Sequence, residues 1–217
     1  MRPATFEQSV EELDTSPMSA GGDSIKNEPM LYGASWAWAN DNAGPITKAV
    51  MHEIQAQVFG ECVEHALRGY HPVIDTKSVL LMPGQYPCIP GWHCDGVVRP
   101  SRGEQPDLST LWEPIHHYTC VISENGGSGT QFAKGRHAIE VAEDSVWKSV
   151  DEQLKDCNWI PAESGRVYRF RRNQLHRGNR ASKRGWRYFF RLSFYHMPAA
   201  NEIRKQVQIY ADTGMGW

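Results

Sequence analysis

Apolar positions follow two textures along the chain. Over residues 45–67, Ile46, Val50, Met51, Ile54, Val58, Val63 and Leu67 recur at gaps of mostly three and four, the spacing of an amphipathic helix. Asn42 or Gly44 can cap it, Pro45 suits its first turn, and Gly69 closes it. From residue 78 the pattern shortens to β-like runs split by Gly and Pro, at 78–82, 92–98, 116–123, 129–133, 166–171 and 187–195. Val146, Trp147, Val150 and Leu154 predict one helical insertion near 144–155. Residues 1–29 are polar, acidic and without period, which predicts a mobile arm or lid. A helical layer followed by many short strands, with no βαβ alternation, predicts a mainly β fold of sandwich or jelly-roll type with flanking helices. The expected organisation is an arm or lid region over 1–44 and a single domain over 45–217.

Composition narrows the class. A 217-residue chain with 40% hydrophobic and 22% charged residues can bury a core, which argues against global disorder. No apolar run approaches the roughly 20 residues that cross a bilayer, and the N-terminal segment has no secretory h-region. Five cysteines (Cys62, Cys88, Cys94, Cys120 and Cys157) form no CxxC pair and are odd in number. Reduced thiols in a cytoplasmic protein without a membrane partner are the expectation. Charge is uneven. Residues 166–191 hold 10 of the 23 Lys and Arg and no acid, leaving 13 cations against 25 acids elsewhere. Such a segment suggests an anionic ligand nearby.

Candidate chemistry begins at His93-Cys94-Asp95. On an extended chain, residues i and i+2 share a face, so His93 and Asp95 can bind one metal. Nine histidines and 25 acids give about one H-x-[DE] by chance, so context must decide. His176 supplies it. Two histidines and a carboxylate form a facial triad suited to Fe(II), with open positions for a cosubstrate and O2. A chelating 2-oxo acid needs a cation for its far carboxylate. In the run 187–194, Arg187, Phe189, Arg191 and Ser193 share one face, and Tyr188, Phe190, Leu192 and Phe194 the other. Two arginines on one face of an aromatic strand are costly unless an anion neutralises them. Arg also suits two-point carboxylate binding.

Four blocks, in order, then resemble one family. These are PGQYPCIPGWHCDG (83–96), ENGGSGTQFAKGRHAI (124–139), GRVYRFRRNQLHRGN (165–179) and GWRYFFRLSF (185–194). Together they resemble the Fe(II)/2-oxoglutarate-dependent oxygenases, most closely the phytanoyl-CoA hydroxylase-like branch. The second block departs from that family's Pro-Gly-Ser-His turn, reading Ala133-Lys134-Gly135-Arg136-His137. The resemblance implies a double-stranded β-helix (cupin-like) core, His93, Asp95 and His176 as ligands, and Arg187 as the partner of the distal carboxylate of 2-oxoglutarate. Related halogenases replace the acidic ligand, so Asp95 implies oxygenation. Tyr118, Thr119 and Tyr86 are candidates for further cosubstrate contacts. Arg191 could reinforce that site, bind an anionic group of the substrate, or form a structural pair.

The remaining residues have blander readings. His116 and His117 face opposite sides, so at most one lines a barrel. His137 is expected to fix its turn by a hydrogen bond. Cys94 and Trp92 read as packing. The 97–114 loop, with Arg99, Arg102 and Trp112, is the expected lid. The favoured function is hydroxylation of a small or medium-sized substrate, one that could be anionic. Two alternatives stand: an oxygenase acting on nucleic acid or nucleotide, suggested by the basic segment, and a non-catalytic cupin-like metal- or ligand-binding module, which leaves Arg187 without a reason.

Overall fold

The computed structural model describes residues 1–101 and 104–211. In chain order its elements begin with β1 (Arg2–Glu7), β2 (Glu11–Glu12), α1 (Gly22–Asn27), β3 (Leu31–Tyr32), α2 (Trp36–Asn42) and α3 (Pro45–Ala66). Next come β4 (His71–Leu81), β5 (Gln85–Tyr86), a 3-10 turn (Leu108–Trp112), β6 (His116–Ser123), β7 (Thr130–Ala133) and β8 (Arg136–Val141). The chain continues through α4 (Val146–Leu154), β9 (Trp159–Pro161), β10 (Val167–Arg171), β11 (His176–Gly178), β12 (Gly185–Tyr195), β13 (Glu202–Ile203) and β14 (Tyr210–Ala211).

Two antiparallel sheets face one another. The larger runs β2-β10-β6-β12-β4, and the smaller runs β11-β7-β9. Phe132 of β7 meets Tyr168 and Phe170 of β10, with ring centroids 5.7 and 5.2 Å apart, and these contacts close the layers on each other. This is the mainly β, double-stranded β-helix architecture expected, with helices on its flank. The outer face of the large sheet is apolar: Tyr118, Cys120 and Ile122 of β6 and Tyr188, Phe190, Leu192 and Phe194 of β12 pack against Ile46, Val50, Met51, Ile54 and Val58 of α3. The inner face carries the polar residues. Period-two alternation on β12 therefore decides which arginines look inward.

The start of α3 is fixed by a buried acid. Glu28 accepts from the backbone N–H groups of Ile46 (3.2 Å) and Thr47 (2.9 Å) and from the Thr47 hydroxyl (2.6 Å). A carboxylate there satisfies donors that the first turn leaves open and complements the helix dipole. The Thr47 hydroxyl also lies 2.8 Å from that of Tyr188, which ties the helix to β12. The apolar stripe ends sooner than its spacing predicts. Val63 and Leu67 are 70% and 87% exposed, because at about 100° per residue they lie roughly 140° and 180° round from Val58.

Three further expectations are corrected. Residues 1–29 are not an unattached arm: β1 pairs with β8, β2 extends the large sheet beside β10, and Leu13 and Met18 bond to the Val167 and Gly165 carbonyls. Their polarity suits edge strands, which bury one face at most. The 78–82 run is only the end of β4, which begins at His71. The 92–98 run is not a strand. Gly91 (φ 92°) and Gly96 (φ 69°) turn the chain there, and only His93 makes a bridge, to His176.

Candidate metal centre

His93 and His176 are joined by two backbone hydrogen bonds, from the His93 N–H to the His176 carbonyl (3.1 Å) and the reverse (2.9 Å). This bridge brings β11 beside the 91–96 turn and sets the imidazoles 4.8 Å apart, centroid to centroid. Asp95 completes the group, and the three offer ligand atoms that all lie within 4.8 Å of one another. The strand that the spacing argument assumed for His93 and Asp95 is absent; the 91–96 turn brings their side chains together instead.

Hydrogen bonding sets the tautomers. Nδ1 of His93 lies 3.0 Å from the Gly91 carbonyl, and Nδ1 of His176 lies 3.2 Å from that of Gln174. A carbonyl only accepts, so each Nδ1 carries a proton and each Nε2 is the ring nitrogen left facing inward. Burial, with His176 adding to it, pushes His93 down to about 4. Burial by itself would raise Asp95; Arg191 and then His176 overcome it and hold that carboxyl well below the usual range. Two inward imidazole nitrogens and an ionised carboxylate form a donor set that fits a divalent cation with open positions.

The Asp95 oxygens are divided. Oδ2 lies 3.2 Å from His176 Nε2, on the ligand side. Oδ1 accepts from Arg191 at 2.7 Å. The other nitrogen of Arg191 donates to Asp75 at 3.1 Å, and Arg204 donates to the second oxygen of Asp75 at 3.2 Å. Arg191 therefore stands in a charge chain behind a ligand.

The triad opens into a cavity of about 370 Å³ whose apolar wall includes Phe132, Phe170 and Phe189. Arg187 reaches into it and is 4% exposed. Among the described residues its side chain makes one hydrogen bond, to the Thr130 hydroxyl at 3.4 Å, its Nε has no partner, and no acid forms an ion pair with it. Burial pushes this guanidinium down to about 10. A second cavity, of about 420 Å³, shares His93, Asp95 and Lys77 and adds Arg99 and Trp147.

The other sequence candidates separate. Thr119 lines the triad cavity, and its hydroxyl donates to the Phe190 carbonyl at 2.9 Å. Tyr118 does not: as the next residue on β6 it faces the helices, in the core beside Glu61 and Arg169. Tyr86 lines a different cavity, with Gln131 and Arg177. His117 is the inward member of its pair, buried behind the triad with Nδ1 2.7 Å from the Ser193 hydroxyl; His116 faces out to Glu61 at 3.0 Å. His137 holds its turn through the Lys134 carbonyl at 3.0 Å. Cys94 and Trp92 lie in the core formed with α4 and β8.

Sequence reasoning missed Asp75, Lys77 and the segment that walls the cavity mouth. Leu108 and Leu111 of the expected 97–114 lid are buried in that same core, Trp112 is 54% exposed, and Arg102 lies outside the described residues. Tyr32 and Gly33 line the cavity instead, together with Met197, Pro198 and Ala200 from the segment after β12. That segment is strapped down at both ends, β13 on β3 and β14 on β5, with Arg204 over the Tyr32 ring at 4.7 Å. A signal was available for the acid and the lysine: Asp75 and Lys77 interrupt an apolar strand at period two.

No family model matches the chain, and no curated protein does. Among solved structures it is similar to the non-heme monooxygenase ThoJ in a nickel complex, at 9% identity over 65% of this chain and 50% of that one, TM-score 0.33. It is also similar to SnoK, a non-heme alpha ketoglutarate dependent carbocyclase from nogalamycin biosynthesis, at 14% identity over 83% of this chain and 68% of that one, TM-score 0.39. The chain thus spans half the length of the first. Similarity at this level assigns neither ligands nor substrate here. Among the described residues, no helix is long and apolar enough to cross a membrane.

Proposed function

We propose that this chain is a non-haem Fe(II)/2-oxoglutarate-dependent dioxygenase that hydroxylates a C–H bond of a small or medium-sized molecule. One observation carries the reading: a buried, acid-free arginine, Arg187, opens into the same cavity as the His93–Asp95–His176 group. A metal-binding module has use for the triad but none for an unpaired guanidinium, whose burial is costly without an anion.

In this reading His93, Asp95 and His176 hold Fe(II), and Arg187 with Thr130 takes the distal carboxylate of 2-oxoglutarate. Fe(II), the cosubstrate and O2 supply the oxidising power that breaks the C–H bond, with release of succinate and CO2. The chain's own work is positioning. The Gly91 and Gln174 carbonyls hold the imidazole protons on Nδ1, and Arg191 holds Asp95 so that Oδ2 alone turns to the ligand side. Phe132, Phe170 and Phe189 keep that side of the cavity dry.

The basic segment supports the nucleic-acid alternative less than its count suggests. Of the ten cations in 166–191, Arg166, Arg169, Arg172 and Arg191 pair with acids of the chain, and Arg187 points into the cavity, which leaves five. The test is an anaerobic titration with Fe(II) and 2-oxoglutarate, followed by the visible metal-to-ligand charge-transfer band. A band in the wild type that vanishes in His93→Ala, and that needs far more 2-oxoglutarate in Arg187→Ala, is the expected result. Folded, iron-loaded protein without the band would overturn the reading in favour of the binding module.

A further inference from the structure

The dioxygenase reading leaves one cation of the cavity without a task. Lys77 stands on the inner face of β4, opposite Phe189 in the β4–β12 ladder and one pleat from Asp75. Its ammonium forms no ion pair with any described acid. Its charged neighbours are mainly cations: after burial, Arg191 and Arg204 do most to lower its proton affinity. Both it and Arg187 lie near the Phe189 ring, with the Lys77 nitrogen 5.9 Å and the Arg187 guanidinium carbon 5.6 Å from the ring centroid. Two cations without an ion-paired acid among the described residues thus share one aromatic ring inside one cavity.

The charge balance says what the second one is for. Cavity-lining cations are Lys77, Arg187, Arg191 and Arg204; the lining acids are Asp75 and Asp95. Arg191 and Arg204 are engaged with those acids. Fe(II) and the 2-oxoglutarate dianion cancel. The loaded cavity therefore keeps a surplus of two positive charges between apolar walls, and such a surplus is unfavourable unless an anion enters.

We infer that Lys77 is a specificity-determining residue that binds an anionic oxygen group, carboxylate or phosphate, on a substrate whose body is apolar. This rests on the dioxygenase reading, which assigns Arg187 to the cosubstrate. Lys77 also lines the second cavity, which shares His93 and Asp95, so it can grip an anion extending to either side of the triad. A compact ammonium accepts carboxylate or phosphate from several directions, whereas Arg187 presents a fixed fork suited to one planar carboxylate.

The probes are phenylacetate, phenyl phosphate and neutral phenylacetamide, titrated by calorimetry into anaerobic protein loaded with Fe(II) and 2-oxoglutarate. At least one of the two anions binds the wild type, and the amide does not. Lys77→Met weakens that binding by about 10- to 100-fold, the value of a charge-assisted contact. Lys77→Arg retains it, and the charge-transfer titration with 2-oxoglutarate is unchanged in both variants. Binding of the amide as tightly as the anions, binding of neither anion, or undiminished affinity in Lys77→Met overturns the inference. So does a selective loss of 2-oxoglutarate affinity in Lys77→Met, which would make Lys77 a cosubstrate residue. Absence of the charge-transfer band in the wild type would instead count against the dioxygenase reading. The same titrations on metal-loaded protein would then still decide whether Lys77 holds an anion.

Discussion

Replacing Arg187 with methionine separates a ligand-binding arginine from a structural one by the sign of the stability change. The guanidinium is 4% exposed, and burial pushes its pKa down from the ordinary arginine value to about 10. At about 1.36 kcal/mol per unit, that difference means the charged group destabilises the cosubstrate-free fold by about 3 kcal/mol. The unfolded chain holds the extra proton only above about pH 10, so the cost is fully present at neutral pH and is relieved above pH 10. Methionine fills much of the same space without charge and gives up one long hydrogen bond to Thr130. Arg187→Met is therefore expected to stabilise the metal-loaded, cosubstrate-free protein by about 1–3 kcal/mol, at roughly 2–4 °C in Tm for each kcal/mol in a chain of this size. With 2-oxoglutarate at about 100 times its Kd, the wild type gains about 2.7 kcal/mol. The variant gains less than about 1 kcal/mol, because truncating a buried charge pair weakens binding by about 2–5 kcal/mol. Scanning calorimetry of Mn(II)-loaded protein, with and without 2-oxoglutarate, measures all four states. A variant that is less stable than the wild type without cosubstrate, and equally stabilised by it, would refute the reasoning.

Two other expectations concern the supports of the triad. Gly96 adopts φ 69°, and a Cβ there would lie 2.8 Å from His117 Cε1. Gly96→Ala should lower stability by about 1–3 kcal/mol and weaken Mn(II) binding by displacing Asp95; unchanged Tm and unchanged calorimetric affinity would contradict this. Burial pushes His93 down to about 4 and His117 down to about 3, so both are neutral in the fold near pH 5. The unfolded chain takes up their protons from about pH 6.5 downward, so each removes up to about 1.4 kcal/mol of metal-free stability per pH unit as acid is added. Urea midpoints that stay level from pH 7 to pH 5 would count against it.

What the sequence discloses follows from where physics leaves a period. The alternation of Arg187, Phe189 and Arg191 with Tyr188, Phe190 and Leu192 is legible because one face of β12 is core and the other is cavity. β6 is legible for the same reason, and α4 because Val146, Val150 and Leu154 are core while Lys148, Glu152 and Gln153 face solvent. β4 is not, because Asp75 and Lys77 stand where an apolar residue would continue the pattern, a local inconsistency of the kind expected at a working site. The two-residue strands have no period to detect. The role of Arg191 was open because it depends on Asp75, a partner in the ladder rather than in the sequence. The 91–96 turn misled in a different way, since its apolar content serves the core with α4 while its glycines stop it from being a strand.

The strap after β12 also has a kinetic consequence. Its pairings, Leu31 with Ile203 and Tyr86 with Tyr210, join distant parts of the chain through two-residue ladders. Contacts that span so much sequence close late in folding, and such short ladders are marginal by themselves. During synthesis every triad residue leaves the ribosome before residues 196–211 do. The ligand set can thus assemble and meet its metal while the mouth is still wide. In the finished protein the strap would be among the first segments to exchange amide hydrogens with solvent.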